Sequence, residues 1–428
     1  MITKVLHVLP SHPSMEPGGA PETYALELHQ AMLQTEGLEP VLVGRTAAGR
    51  HRAGSAFNSL DGDPSQYLVR IEDGGFDILN MTYGEKSLYT RFFADFLRAQ
   101  DPDVVHLQHT LFVGCELVSL VRRLLPTTPI VYTLHDYMPI CNRDGRLVRT
   151  DESLCLEATP RRCHECFPGI SEQNFFLRER FIRAHLDQVH LFLAPSHFLL
   201  ERYADWGIPR EKIRFEECGR PPALPPAESR GDRPRNRLGF FADLSHVDFE
   251  GAEILLQAMR IVRDRAPGAH LWLHGTNLAR FPDRRRQRVS DLIHEVGNVS
   301  FVESWDRAGF PEMMSNVDWV VVPSRWWEGS PLVIQDAFLH GRPVICSDIG
   351  AMAEKVAHEV NGLHFTVADP PSLADAVCRA ISAPGLWDEL RQGIPPVYGM
   401  DEHVASLTGI YRDLLEGVGR AEAPAPVS

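Results

Sequence analysis

The chain has 428 residues, 44% apolar and 23% charged, an ordinary globular composition and more chain than one hydrophobic core takes up, so two domains are expected. Forty-three Lys plus Arg stand against 57 Asp plus Glu, and the net charge of -14 leaves no bulk attraction for nucleic acid or an anionic membrane. Eight Cys are too few for a disulfide scaffold and four of them crowd into one segment, which points to a reduced, cytoplasmic protein.

Residues 1–10 carry one Lys and then a short apolar run, 5–9, far below the roughly 20 residues of a membrane span; it reads as a buried first strand. Tyr24, Leu28, Ala31 and Met32 follow at i, i+4, i+7 and i+8, the spacing of one helical face. Residues 104–107, 130–134 and 191–195 read as further strands, with 171–185 as a crossover helix. From Arg220 to Arg237 the composition changes to RPPALPPAESRGDRPRNR, with little to bury, and 221–237 reads as a linker. Apolar runs then resume at 238–244, 270–274, 299–302, 319–323 and 343–347. Such runs, alternating with segments of helical period, are the pattern of parallel strands covered by helices on both faces.

The expected fold is therefore α/β, with two doubly wound parallel-sheet domains at 1–220 and 238–400. Ligands bind such sheets at the carboxyl ends of the strands, so a cleft between the domains is the expected site. Residues 401–416 read as a final helix packing back on the N-terminal domain, and 417–428 as an unstructured tail. A weak peripheral contact with a membrane is the most the charge allows, through Arg-bearing helical segments such as 176–185.

Residues 320–336, VVVPSRWWEGSPLVIQD, join an apolar strand to a helix through a turn holding two Trp and then Glu328-Gly329-Ser330-Pro331. Unpaired N–H groups at a helix start behind a Gly suit an anion or a hydroxyl, and Pro331 fits the first helical position, where no N–H is needed. Glu328 precedes the helix and Asp336 lies about one and a half turns inside it, so the two carboxylates can accept from different hydroxyls of an extended polyol. An acidic helix start favoured by the dipole, plus a solvated Asp, fits the same pattern. Gly18 and Gly19, between first strand and first helix, let the backbone approach a ligand, and equally fit a plain turn. His135 ends a strand in YTLHDY. Cys141, Cys155, Cys163 and Cys166 follow with spacing C-x13-C-x7-C-x2-C. Four thiolates in so short a segment suit structural zinc; reduced surface cysteines or a disulfide pair fit as well.

The run from Glu328 to Asp336, then Gly341-Arg342-Pro343-Val344-Ile345, Ser347-Asp348-Ile349-Gly350 and Val360-Asn361-Gly362-Leu363, resembles in order and spacing the donor-binding part of retaining GT-B glycosyltransferases of family four. The resemblance covers nearly the whole chain. It implies a GT-B fold, two Rossmann-like domains, and retaining transfer of a hexosyl group from a nucleotide-sugar donor to a hydroxyl acceptor. That acceptor would be a glycan, a lipid-linked saccharide or a small natural product, as in polysaccharide biosynthesis.

By the same resemblance Glu328 contacts the donor sugar. The backbone from Gly329 through Ser330, Pro331 and Leu332 meets a sugar hydroxyl or phosphate, Asp336 holds the ribose, and Gly18 with Gly19 approaches the phosphate. Asp336 replaces a second Glu and is a methylene shorter. His135 matches the strand-end H-D near sugar and acceptor, in a positioning or hydrogen-bonding role. A subset of the family carries a similar four-cysteine insert, here 138–169, which favours structural zinc; no catalytic metal is expected.

The family commonly presents a Lys before Gly at the start of its second domain. Glu250 stands in that place, and Asp243 where some members have Arg. Acids beside a diphosphate repel it. Arg325, with a planar fork suited to phosphate, is the first candidate to compensate, His246 the second, and a metal on Asp243, Asp248 or Glu250 a third. The same substitutions fit an unusual donor, or a catalytically silent scaffold that binds a sugar nucleotide or a partner. A sugar-nucleotide epimerase on the same fold is a further alternative.

Overall fold

The computed structural model describes residues 2–15, 19–46, 56–71, 75–84, 86–223, 234–241, 251–275, 283–302 and 309–422, with the backbone alone at 87–89, 283–285 and 418–422. The chain divides into two compact units, Met1–Pro221 with Tyr398–Ser428, and Pro222–Val397. The sheet of the first unit runs in the order Ile213–Phe215, Leu191–Ala194, Ile130–Thr133, Val104–Leu107, Thr3–Leu9, Leu38–Thr46, Gln66–Arg70 and Phe57–Ser59. All pair in parallel except Phe57–Ser59, which returns antiparallel along Gln66–Arg70. The chain order reverses between Thr3–Leu9 and Val104–Leu107. Segments leaving the carboxyl ends of those two strands therefore diverge and leave a crevice.

Val5, Leu6, Val8, Leu9, Val104, Val105 and Leu107 are all at most 1% exposed, since helices cover both faces of the central strands. Tyr24, Leu28 and Met32 of the helix Ala20–Leu33 supply part of that cover, as their spacing predicts. Two His interrupt the apolar runs: His7 and His106 are register partners on adjacent strands, and both are fully buried. Burial pushes His7 down to about 3 and His106 well below its ordinary value, with neighbouring His adding to both shifts.

Unfolded His titrates near 6.5. Between that pH and about 3 the unfolded chain binds protons that the folded chain refuses, so stability is expected to fall as pH drops through this window. The urea midpoint should be lower at about pH 5 than at about pH 7.5, and the difference smaller in a His7→Asn variant. Equal midpoints at the two pH values would contradict this account of the core.

The second unit orders its strands Val299–Val302, His270–His274, Arg237–Phe241, Trp319–Val322, Val344–Ser347 and Gly362–Phe365, all parallel. Here the reversal falls between Arg237–Phe241 and Trp319–Val322. The helices Ala252–Arg265 and Pro370–Ser382 share one core with the strands, through Leu255, Met259, Trp319, Ile345, Leu373 and Val377. Both units thus have the doubly wound parallel α/β architecture expected of the sequence.

The final helix, Met400–Glu422, belongs to the first unit. It continues past 416, where the tail was expected to begin; residues 423–428 lie outside the described residues. Among the described residues no helix is long and apolar enough to cross a membrane.

Candidate functional site

Strand Trp319–Val322 delivers the chain to the reversal point of the second sheet, and the turn that follows carries Glu328. Glu328 is half-buried. Its Oε1 accepts from Ser324 Oγ at 2.7 Å, and its N–H donates to Trp326 O at 3.0 Å. Ser324 is itself buried, so the carboxylate is held by a hydroxyl that has no freedom to swing away. In the same turn Ser330 Oγ and Trp326 Nε1 are buried and have no hydrogen-bond partner among the described residues. Buried polar atoms are nearly always paired, so these two orphans beside a held carboxylate are open to a polar ligand or to water.

The helix begins at Leu332, and Pro331 is the extended residue ahead of it, not the first helical residue as expected. Pro331 serves from outside: its carbonyl accepts the Ile334 N–H at 3.1 Å. Asp336 lies within this helix and is 8% exposed, which removes the reading of a solvated Asp. Arg325 is half-buried and Gly329 buried in the same turn.

The start of the helix Ala252–Arg265 closes directly on this turn. Gly251 caps it at φ +81°, and a Cβ there would stand 1.9 Å from Pro323 O. Gly251→Ala is expected to destabilise the protein by at least about 2 kcal/mol, from the left-handed backbone and the displaced carbonyl together. Urea unfolding measures it; an unchanged midpoint would show that the helix start does not press on the strand end. Asp243, His246, Asp248 and Glu250, just before Gly251, lie outside the described residues.

In the first unit, Gly18 also lies outside the described residues. Gly19 caps the helix Ala20–Leu33 in an extended conformation open to any residue, and a Cβ on it would approach Glu22 Oε2 to 3.2 Å. The neighbour a Cβ would meet is the end of a flexible side chain, so neither φ nor a backbone contact demands glycine here. His135 follows the strand Ile130–Thr133 and is half-buried. Its Nε2 lies 3.0 Å from Gln108 Oε1, and the Tyr24 ring stands edge-on to it at 5.7 Å. Burial, with His109 nearby, lowers His135 to about 3 against an opposing pull from Asp136. A group that stays neutral so far below pH 7 is a weak general base, which suits positioning better than proton transfer.

Three further groups that sequence reasoning did not assign gather at the same sheet end. Both oxygens of Asp136 lie 3.1–3.2 Å from His109 Nε2, and Asp136 Oδ1 accepts the Met138 N–H at 2.8 Å. Burial alone would raise Asp136, but His109 and the Met138 N–H outweigh it and hold the carboxyl below its ordinary value. His109 is pulled down by burial and, more strongly, up by Asp136 and Glu22. Glu22 is raised by burial. The signal available in the sequence was position alone: Gln108-His109 directly follows a predicted strand.

The zinc expectation at Cys141, Cys155, Cys163 and Cys166 is not supported. All four are free, half-buried thiols, and among the described residues no group of three or more His, Cys, Asp or Glu is placed to hold a metal ion. Burial, with the neighbouring thiols adding to it, pushes the Cys141, Cys155 and Cys163 thiols up, Cys163 to about 12. The loop base is tied instead by buried Arg178, which donates to the carbonyls of Met138 and Pro139 at 2.7 Å.

A family model described as Glycosyl transferases group 1 matches residues 235–383, and one described as Glycosyltransferase Family 4 matches residues 17–223. An uncharacterized glycosyltransferase of Methanocaldococcus jannaschii is 26% identical over 178 residues, 40% of this chain and 44% of that protein. The chain spans 44% and 35% of the length of the first two curated relatives it matches. Among solved structures, sucrose-phosphate synthase from Thermosynechococcus elongatus aligns with a TM-score of 0.69 at 18% identity, covering 97% of this chain and 100% of that one. Anabaena HepE in complex with UDP and glucose aligns with a TM-score of 0.64 at 18% identity, covering 96% and 100%. These two likenesses establish the fold alone. The two family matches fall one on each unit, each to a glycosyltransferase domain model, and the fold is the GT-B fold of these solved structures.

Proposed function

We propose that this chain is a retaining glycosyltransferase that moves a hexosyl group from a nucleotide-sugar donor to a hydroxyl acceptor. The observation that carries the reading is the turn at the second sheet's reversal point, where Ser324 holds Glu328 beside the unpaired Ser330 Oγ and Trp326 Nε1. In this reading Glu328 accepts from donor-sugar hydroxyls and Asp336 from the ribose. The backbone N–H groups of Gly329, Ser330 and Leu332 meet phosphate or hydroxyl; Pro331 has none to offer. By the family resemblance Gly18 and Gly19 are assigned to the donor phosphates and His135 to the reaction centre, and Arg325 is assigned to the phosphates by its planar fork.

The bond from the anomeric carbon to the donor phosphate oxygen breaks, and a bond to the acceptor oxygen forms on the same face. The acceptor proton passes to the departing phosphate oxygen. Such a step asks the protein for orientation and charge stabilisation more than for a general base, and a neutral, weakly basic His135 suits it. The acceptor is a glycan, a lipid-linked saccharide or a small natural product, and the setting is cytoplasmic, with at most a peripheral contact at the membrane's inner face.

Calorimetry with UDP-, GDP-, ADP- and dTDP-sugars, followed by transfer and donor-hydrolysis assays, tests the reading. UDP-sugars come first, since HepE holds UDP and glucose in the same fold. Binding of one nucleotide class with transfer at retained anomeric configuration is expected. An inverted product would overturn retention, and no binding of any donor would overturn the function. Binding without turnover would favour the silent scaffold that Asp243 and Glu250 suggest.

A further inference from the structure

Gln108 is fully buried at the end of Val104–Leu107, between two His that the chain brings from far apart. Its side-chain Nε2 lies 3.3 Å from His7 Nδ1, and its Oε1 lies 3.0 Å from His135 Nε2. An amide oxygen only accepts and an amide nitrogen only donates, so this orientation dictates both rings: His7 Nδ1 accepts, and His135 Nε2 carries the proton. Gln108 is itself pinned to the sheet, its backbone N–H donating to Val8 O at 2.9 Å. Behind it, His106 is locked by Tyr411 OH at 2.6 Å and Thr133 Oγ1 at 2.7 Å, so it competes for neither end of the amide. His135 Nδ1 has no protein partner among the described residues.

We infer that Gln108 is a positioning residue: it holds His135 in the Nε2–H tautomer, leaving Nδ1 as a bare acceptor for a hydroxyl of the sugar ligand. That a sugar is what meets Nδ1 rests on the proposed function; the tautomer does not. A neutral imidazole offers one donor and one acceptor, and which of them faces the ligand depends wholly on what the other nitrogen does. With Gln108 oxygen at Nε2, the ligand-facing nitrogen takes an O–H and refuses a group that can only accept. The reverse amide orientation would put a proton on Nδ1 and invert that preference.

The test is a two-bond proton–nitrogen NMR spectrum of the full chain labelled with nitrogen-15 histidine, with His135 assigned by the signal lost in His135→Gln. The wild type should show His135 protonated at Nε2 and bare at Nδ1. Gln108→Leu should lose that single form and populate both tautomers. Gln108→Met, unbranched and close in volume, serves if the Leu variant does not fold. A residue that merely fills space would leave the tautomer unmoved in either variant. A wild-type proton on Nδ1, or an unchanged His135 signal in a folded Gln108 variant, overturns the inference. Kinetically, kcat should fall at least tenfold in Gln108→Leu, and unaltered kcat would overturn the link to the ligand. No substrate enters the spectra, so a protein that transfers no sugar yet shows the expected tautomer sinks the proposed function and leaves the Gln108 assignment standing.

Discussion

Glu328→Ala is expected to lower turnover at least about tenfold while leaving the fold intact. A hydrogen bond to an ionised group is worth about 1.5–3 kcal/mol net, and each 1.4 kcal/mol is a factor of ten in rate where the bond tightens toward the transition state. The carboxylate is half-buried, and Ser324 Oγ donates to one of its oxygens at 2.7 Å, which holds it in place to meet sugar hydroxyls. Within the fold, truncation strips Ser324 of that partner and costs about 1 kcal/mol, a small part of a typical domain's stability. Activity and stability should therefore separate: initial rates at saturating donor fall steeply while the urea midpoint moves little. Glu328→Gln, which keeps an accepting oxygen without the charge, should lie between. Wild-type turnover in Glu328→Ala would remove the central site assignment, and a collapsed midpoint would recast Glu328 as structural.

What the sequence could and could not reveal follows from the range over which each feature is determined. Val104–Leu107 and Trp319–Val322 are buried on both faces, so their composition alone marks them as strands. Leu38–Thr46 opens with Glu39-Pro40 and ends in Arg45-Thr46, which hides a strand beside the central one. Arg45 is tolerated inside because Nε donates to Ile71 O at 2.8 Å and the guanidinium lies over the Phe112 ring, partners that no local pattern announces. The Glu328 turn was visible because Gly329 and Pro331 punctuate it locally. Gln108 and His109 were not, because their partners, His7, His135 and Asp136, arrive from other strands of a parallel sheet. Cysteine spacing records closeness along the chain only, and among the described residues no three such side chains are placed to hold a metal ion, so the zinc expectation is not supported.

Arg220→Ala is expected to destabilise the first unit by about 3–5 kcal/mol, because it breaks a buried ion pair and strands the surviving charge. Arg220 is the penultimate residue before the chain leaves this unit, and it lies 2.9 Å from Glu27 with side-chain exposures of 2% and 10%. The returning chain is stitched to the same point, since Arg220 N–H donates to Tyr398 O at 3.0 Å and Met400 N–H to Arg220 O at 2.8 Å. Next to it Glu216 accepts from His403 and Tyr398 at 2.9 Å and from Ser406 at 2.8 Å, while Tyr24 OH meets the other side of His403 at 2.6 Å. Burial would raise Glu216, but these donors outweigh it and lower it below 4.5. Its contribution is therefore full above that value and is lost as pH falls through the folded pKa. The helix Met400–Glu422 also presents Val404, Leu407, Ile410 and Tyr411 to the core, an apolar face that needs no ion pair. Replacing both partners by apolar residues, Arg220→Met with Glu27→Leu, should recover much of the loss, since the penalty of the single variant comes chiefly from the orphaned charge. Urea unfolding of the two single variants and the double variant closes the cycle. If Arg220→Ala matched the wild type, the terminal helix would be held by its apolar face alone, and the buried charges would have to be explained by something other than stability.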